Sequence, residues 1–173
     1  MEHDHQQSRR DLTIWNDASE EAEANIFAAE LLMPEYLFKP RSLGQVPSLG
    51  LVDKLAESFG SSVMATAFQY LHYTPEQVAL VVSEGNRILW SKKAKDFWPR
   101  VRAMQIHPHS AAGEIMAGKY LETKRMVRSP AYAWLESFDE KSEQDIREDS
   151  RLIEYYGQTL TLLWLEDDLD DVE

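Results

Sequence analysis

Apolar residues at helical spacing mark the first recognisable element of the chain, at about residues 19–34. At roughly 100° per residue they share one face, and Pro34 then ends the helix. The face consists of Ala24, Phe27, Ala28, Leu31 and Leu32. We therefore expect this helix to pack against an apolar surface on that side, with Glu23 and Glu30 at the edge of the face.

A second helical pattern covers residues 48–71. Apolar positions recur at helical spacing on both sides of Gly60, which predicts two helices joined by a tight turn, over residues 48–59 and 62–71. The preceding stretch, residues 39–47, contains two prolines, a glycine and serines, so we expect a loop there.

The periodicity changes after Pro75. The β-branched run at residues 78–82, a turn at 84–86 and a return at 87–90 predict a β-hairpin. A second strand pair is predicted at 151–156 and 159–165, around Gly157. Between the hairpins, residues 110–121 have helical character, and the Ser129-Pro130 step should break any helix.

These elements predict an α+β protein with a change of character near Tyr73. We divide the chain into a helical region at 1–73, a mixed α/β C-terminal domain at 74–165 and an acidic tail at 166–173. The tail is best interpreted as a solubilising segment, because its carboxylates repel one another.

Charge and composition exclude several classes of function. The 173 residues carry a formal charge of −12, which repels nucleic acid and makes it an unexpected partner. Cysteine is absent, so no thiolate metal site or cysteine nucleophile is available. Neither a signal peptide nor an apolar segment of membrane-spanning length is apparent, and we expect a cytoplasmic protein with no membrane contact.

Residues 23–34, EANIFAAELLMP, resemble the glutamate helix of the ImmA/IrrE family of zinc metallo-endopeptidases. Further similarity lies in the sequence FGSS at residues 59–62 and in the closing strand at 160–165. The resemblance extends from about residue 19 to 165. It implies that the helical region is part of a zincin-like peptidase domain, and that the longer relatives cleave helix-turn-helix repressors in bacterial stress responses or mobile-element regulation.

The resemblance also implies a metal ligand. In the family, a His-Glu-x-x-His helix supplies two zinc ligands and a general base, and a glutamate on the later helix supplies the third ligand. Glu23 matches that glutamate, and Glu20 and Glu30 are alternatives. Zinc is therefore the cofactor expected for the family.

The histidines of this chain do not form that motif. They are His3, His5, His72, His107 and His109, and no two lie four apart with glutamate after the first. We therefore expect no catalytic residue in this chain, zinc bound weakly or not at all, and no peptide hydrolysis. Either the start is truncated or misassigned, or the chain is a shortened, inactive relative. The pairs His3/His5 and His107/His109 are best interpreted as polar terminal and loop residues, and His72 as the end of a helix.

Two rival functions remain. The chain is a relative of the repressor-directed peptidases, or it is a non-catalytic sensor module that binds a protein or a small ligand. DNA binding by the helix pair is disfavoured, because residues 62–71 include no basic side chain.

An uncovered apolar face around Phe27 and Leu31 favours a homodimer. The basic cluster of Lys92, Lys93, Lys95, Arg100 and Arg102 either meets an acidic ligand or balances the acidic surplus.

Overall fold

The computed structural model describes residues 27–166. It shows helices packed on an antiparallel sheet of five strands in the order β2-β1-β5-β4-β3. The strands are β1 (Val78–Glu84), β2 (Arg87–Lys93), β3 (Val127–Pro130), β4 (Asp145–Ile153) and β5 (Gln158–Trp164). The helices are α1 (residues 27–32), α2 (Glu35–Ser42), α3 (Leu49–Phe59), α4 (Val63–Tyr73), α5 (Ala111–Met116) and α6 (Ala131–Trp134). The predicted mixture of helix and sheet is confirmed.

Apolar residues cover both faces of the sheet. One face, which includes Leu80 and Leu162, packs against α1 to α4. The other, which includes Val81 and Leu163, packs against α6 and the segment around Phe97. Because successive residues of a strand point to opposite faces, strands buried on both sides need continuous apolar runs. This explains why the β1 run was recognisable in the sequence.

The predicted helix pair is confirmed as α3 and α4. The side chain of Ser48 accepts a hydrogen bond from the Leu51 amide, and Ser62 accepts one from Ala65, both at 3.1 Å, so each helix begins at a serine cap. Gly60 ends α3 in the left-handed conformation, with φ of 61°. His72 lies in the last turn of α4, as predicted.

Helix α1 does not pack through the predicted face. Phe27 and Leu31 are each 66% exposed, whereas Ala29 and Met33 are buried. The Met33 sulfur accepts hydrogen bonds from Ser61 Oγ at 3.3 Å and Thr66 Oγ1 at 3.6 Å. This part of the chain thus has two apolar faces. The smaller face, formed by Ala29 and by Met33 four residues later, packs against the core.

Helix α2 occupies the start of the segment predicted as a loop. Pro40 lies inside it, where proline removes one backbone donor. The helix is held instead by Phe38, which is fully buried and lies 5.5 Å from the Phe59 ring and 5.7 Å from the Tyr73 ring. Tertiary packing therefore outweighs the local preference against helix.

The predictions for the C-terminal half need three corrections. Strand β4 begins at Asp145 rather than Arg151, since its first half is polar yet buried. The Ser129-Pro130 step lies in the short edge strand β3, which was not predicted, and α6 follows it. Helix α5 ends at Met116, because Gly118 turns the chain with φ of 74°.

The division into domains at residues 73/74 stays a prediction, although α4 ends and β1 begins close to that point. Within residues 27–166, none of the helices has the length and apolar character needed to cross a membrane.

Candidate functional site

A cleft lies where α1, α4 and the end of β2 meet, with a volume of about 430 Å³. Its apolar lining consists of Ala29, Phe68 and Leu71. Its polar lining consists of Glu30, Gln69, His72, Lys92, Lys93 and Lys95. The cleft therefore combines an apolar floor with titratable groups at its rim, the composition typical of small-molecule sites.

Glu30 is held in place by side chains of α4. The Tyr73 hydroxyl lies 3.0 Å from Glu30 Oε1 and 2.8 Å from Oε2, and donates a hydrogen bond to this carboxylate. Gln69 Nε2 donates to Glu30 Oε1 at 3.1 Å and to the Met33 carbonyl at 3.0 Å. These contacts join the end of α1 to α4, which makes Glu30 a connector between helices.

The carboxylate of Glu30 affects the pKa of Tyr73. Burial, together with the hydrogen bond to Glu30, raises the pKa of Tyr73 above its usual range. His72 Nε2 lies 4.0 Å from Glu30 Oε1, in a side chain that is mostly exposed. The Glu30 carboxylate thus has a phenol as its close partner and an imidazole at the limit of ion-pair distance.

Lysines from β2 and the residues after it form the opposite rim. The Lys92 ammonium lies 4.4 Å from the centre of the Phe68 ring, a cation–π contact. Although the residue as a whole is exposed, partial burial lowers the pKa of its ammonium. Lys93 Nζ donates to the Pro99 carbonyl at 3.3 Å. The basic cluster seen in the sequence therefore places Lys92 and Lys95 at the cleft.

The predicted metal ligand, Glu23, lies outside the described residues, as do Glu20, His3 and His5. Glu30, the alternative ligand, is at the cleft but already accepts hydrogen bonds at both oxygens. The other histidine pair is grouped with Tyr132, whose hydroxyl lies 2.9 Å from His109 Nδ1.

Over residues 27–166, no three His, Cys, Asp or Glu side chains converge so that they could hold a metal ion. The donor groups in this part of the chain therefore do not fit a zinc centre. The assignment of Glu23 stays a prediction.

The helical part of the chain matches a known family. Residues 1–70 match the family model Peptidase_M78, the IrrE N-terminal-like domain. The match supports a relationship of this part of the chain to the ImmA/IrrE family. No curated protein matches it. The match ends within α4, so it includes the Glu30 side of the cleft, while the lysine side on β2 lies beyond it.

The sheet also contains a buried carboxylate that the sequence analysis missed. Glu148 in β4 has no exposed surface. It accepts hydrogen bonds from five donors, at distances of 2.5 to 3.0 Å, which are the Ala111 and Ala112 amides, Ser129 Oγ, Trp134 Nε1 and Ser150 Oγ. The start of α5, strand β3 and helix α6 are thus all bonded to one side chain of β4.

The next residue, Asp149, likewise accepts hydrogen bonds from other elements, on the opposite face of the sheet. Its Oδ2 accepts from the Leu49 amide at 2.8 Å, at the start of α3, and its Oδ1 accepts from Thr123 Oγ1 at 2.8 Å. A carboxylate is stabilising at a helix N-terminus, where amide groups lack partners. Nothing in the polar sequence of residues 145–150 distinguishes these buried acids from ordinary surface residues.

Proposed function

We propose that this ImmA/IrrE relative acts on helix-turn-helix repressor proteins in the bacterial cytoplasm, and that it does so by binding rather than by hydrolysis. The observation that carries the proposal is the match of residues 1–70 to the IrrE N-terminal-like domain. The function that the family resemblance implies supplies the repressor partner, in a stress response or in mobile-element regulation.

The residues of the chain support binding without hydrolysis. A zinc peptidase needs two histidines and a carboxylate around the metal, and a base to take a proton from the attacking water. No His-Glu-x-x-His sequence occurs in the 173 residues. Glu30, the one candidate ligand among the described residues, is engaged with Tyr73 and Gln69.

The exposed face of α1 supports a role in protein recognition. Phe27, Leu31 and Leu32 are each more than half exposed, and Tyr36 follows them on α2. Contiguous apolar side chains on a surface are typical of an interface with another protein. Two partners fit such a face, a repressor protein and a second copy of this chain, and we propose the repressor.

Binding is tested with the purified chain and a helix-turn-helix repressor from the same organism, by titration calorimetry. Leu31→Asp places a charge in the apolar face and should weaken binding at least tenfold. Met104→Asp is the control, because Met104 is also highly exposed but lies between β2 and α5. Absence of any binding by the unchanged chain would overturn the proposal, and sedimentation of the free chain would reveal a homodimer.

Hydrolysis and zinc are tested separately. When the chain and added zinc are present, we expect mass spectrometry to show that the repressor stays intact. We also expect weak zinc binding that is the same in Glu23→Gln and in the control Glu21→Gln. Repressor cleavage that requires zinc and disappears only in Glu23→Gln would show an active peptidase and contradict binding without hydrolysis.

A second candidate function, a sensor module that binds a small ligand, is favoured by the cleft beside Glu30. Its volume is that of a small-molecule site, and three lysines lie at its rim. The two functions are compatible, since the exposed face of α1 and the cleft involve different side chains.

A further inference from the structure

We propose that the cleft between α1, α4 and β2 binds a small amphipathic carboxylate, with the apolar part on Phe68 and Leu71 and the carboxylate at Lys92 and Lys95. The inference gives a ligand class to the second candidate function and rests on it, but it does not require that the chain bind a repressor.

The apolar floor determines one half of the ligand. Ala29, Phe68 and Leu71 are all buried in the core and still contribute surface to the cleft. Apolar surface covered by a ligand contributes about 25 cal/mol per Å². A short alkyl or aryl group therefore gains from leaving water here, and an entirely polar metabolite does not.

The charged side chains at the rim of the cleft determine the charge of the ligand. Three ammonium groups and one carboxylate line the cleft, and that carboxylate, Glu30, already has Tyr73 and Gln69 as partners. Lys93 is engaged by the Pro99 carbonyl. Among residues 27–166, neither Lys92 nor Lys95 takes part in an ion pair. Their positive charge is therefore available to an anion.

Lys92 connects the two halves of the site. Its ammonium rests over the Phe68 ring, so a carboxylate bound to it places the adjoining carbon chain along the apolar floor. Because partial burial lowers the pKa of Lys92, an anion beside it restores a favourable partner for the charged form. Binding should accordingly raise the pKa of Lys92 and weaken as the pH approaches the lysine range.

The donors favour a carboxylate over a phosphate. No arginine lines the cleft, so the forked guanidinium geometry typical of phosphate recognition is missing from its described lining. Nucleic acid is further disfavoured by the overall charge of −12.

The test uses the full chain and two probes with the same alkyl group, octanoate and octylammonium, titrated by calorimetry below their micelle concentrations. We expect octanoate to bind at least tenfold more tightly than octylammonium. Equal affinities would show binding through the alkyl group alone, and no detectable octanoate binding would show that the cleft is not such a site. Either result overturns the proposal.

Variants locate the ligand. Lys92→Met retains the apolar stem and removes the charge, and it should weaken octanoate binding at least tenfold, while Lys92→Arg should largely retain it. Lys54→Met is the matched control, because it removes one exposed charge from α3 and should leave binding unchanged. Loss of octanoate binding in Phe27→Ala but not in Lys92→Met would assign the ligand to the exposed face of α1 and overturn the proposal.

The outcome is separable from that of the repressor experiment. Octanoate binding is measured without repressor, so its failure leaves the repressor titration unaffected. Repressor binding that is abolished by Leu31→Asp but unaffected by Lys92→Met would in turn leave the carboxylate site standing.

Discussion

Glu148 and Glu30 are two glutamates on opposite faces of the sheet, and their surroundings differ. Glu148 is sealed in the core with five donors around it, all from the protein. Glu30 lies at a cleft, with Tyr73 and Gln69 on one side and, on the opposite rim, lysines that form no ion pair within residues 27–166. Both carboxylates join elements of the fold through protein donors, but only Glu30 also lines an open cleft, the one to which we assign a ligand by proposal.

The largest effect is expected from Glu148→Ala. It leaves five donors without their acceptor in a buried place, and unsatisfied buried groups are costly, so we expect a loss of about 3 kcal/mol or more of unfolding free energy. Urea denaturation measures it. Glu143→Ala is the control, since Glu143 is exposed on the approach to β4 and should change stability by less than about 0.5 kcal/mol. An equal effect of the two substitutions would contradict the structural role of Glu148.

Asp149→Ala should have an intermediate effect. The substitution removes the carboxylate acceptor from the Leu49 amide and from Thr123, and losing a cap of this kind costs about 1–2 kcal/mol. Hydrogen exchange should show faster opening at the start of α3 than in the unchanged chain. Asp145→Ala, at the exposed start of the same strand, provides the comparison, and unchanged exchange at Leu49 in Asp149→Ala would contradict the prediction.

Tyr73→Phe should have the smallest effect on stability at neutral pH, about 1 kcal/mol, because the hydrogen bonds that it removes are only half-buried. The dependence of stability on alkaline pH tests the contact between Tyr73 and Glu30 more directly. The pKa of Tyr73 is raised in the folded chain, so its contribution is present below about pH 10 and is lost as the pH rises toward the folded-state value.

The unchanged chain should consequently lose stability more steeply than Tyr73→Phe above about pH 10. Thermal denaturation at several alkaline pH values measures the difference between the two slopes. Tyr155→Phe is the control, since Tyr155 is highly exposed. Parallel slopes for Tyr73→Phe and the unchanged chain would show that Tyr73 and Glu30 are not coupled.

Much of the fold could be predicted where local pattern and tertiary structure agree. The β1 run is apolar because both its faces are buried, and the serine caps and Gly60 define α3 and α4 without help from distant residues. The most specific part of the family resemblance likewise lay in one continuous segment, residues 23–34, and the match to residues 1–70 supports the relationship.

Elements that depend on distant partners could not be predicted. The first half of β4 is polar and becomes buried only because helices and serines from elsewhere supply donors for Glu148 and Asp149. Helix α2 contains a proline and exists because Phe38 is clamped between two rings. In both cases the decisive contact joins residues far apart in the chain.

The same reasoning applies to the cleft. The basic cluster after β2 was visible in the sequence, but its position opposite Glu30 follows from the packing of α1 and α4 on the sheet. Tyr73 and Gln69 had no distinguishing pattern of their own. The site is therefore a property of three elements together, and no single segment announces it.

The adjacent positions of Glu148 and Asp149 have a consequence for how β4 aligns with its neighbours. A shift of β4 by one residue would turn each carboxylate to the opposite side of the sheet and remove the acceptors from α3 and α5 in one step. The correct pairing of β4 with β5 is thus favoured from both sides at once. The two carboxylates therefore fix the register of β4. Insertion or deletion of a single residue within this strand should be tolerated far less than the same change in the turn at residues 154–157.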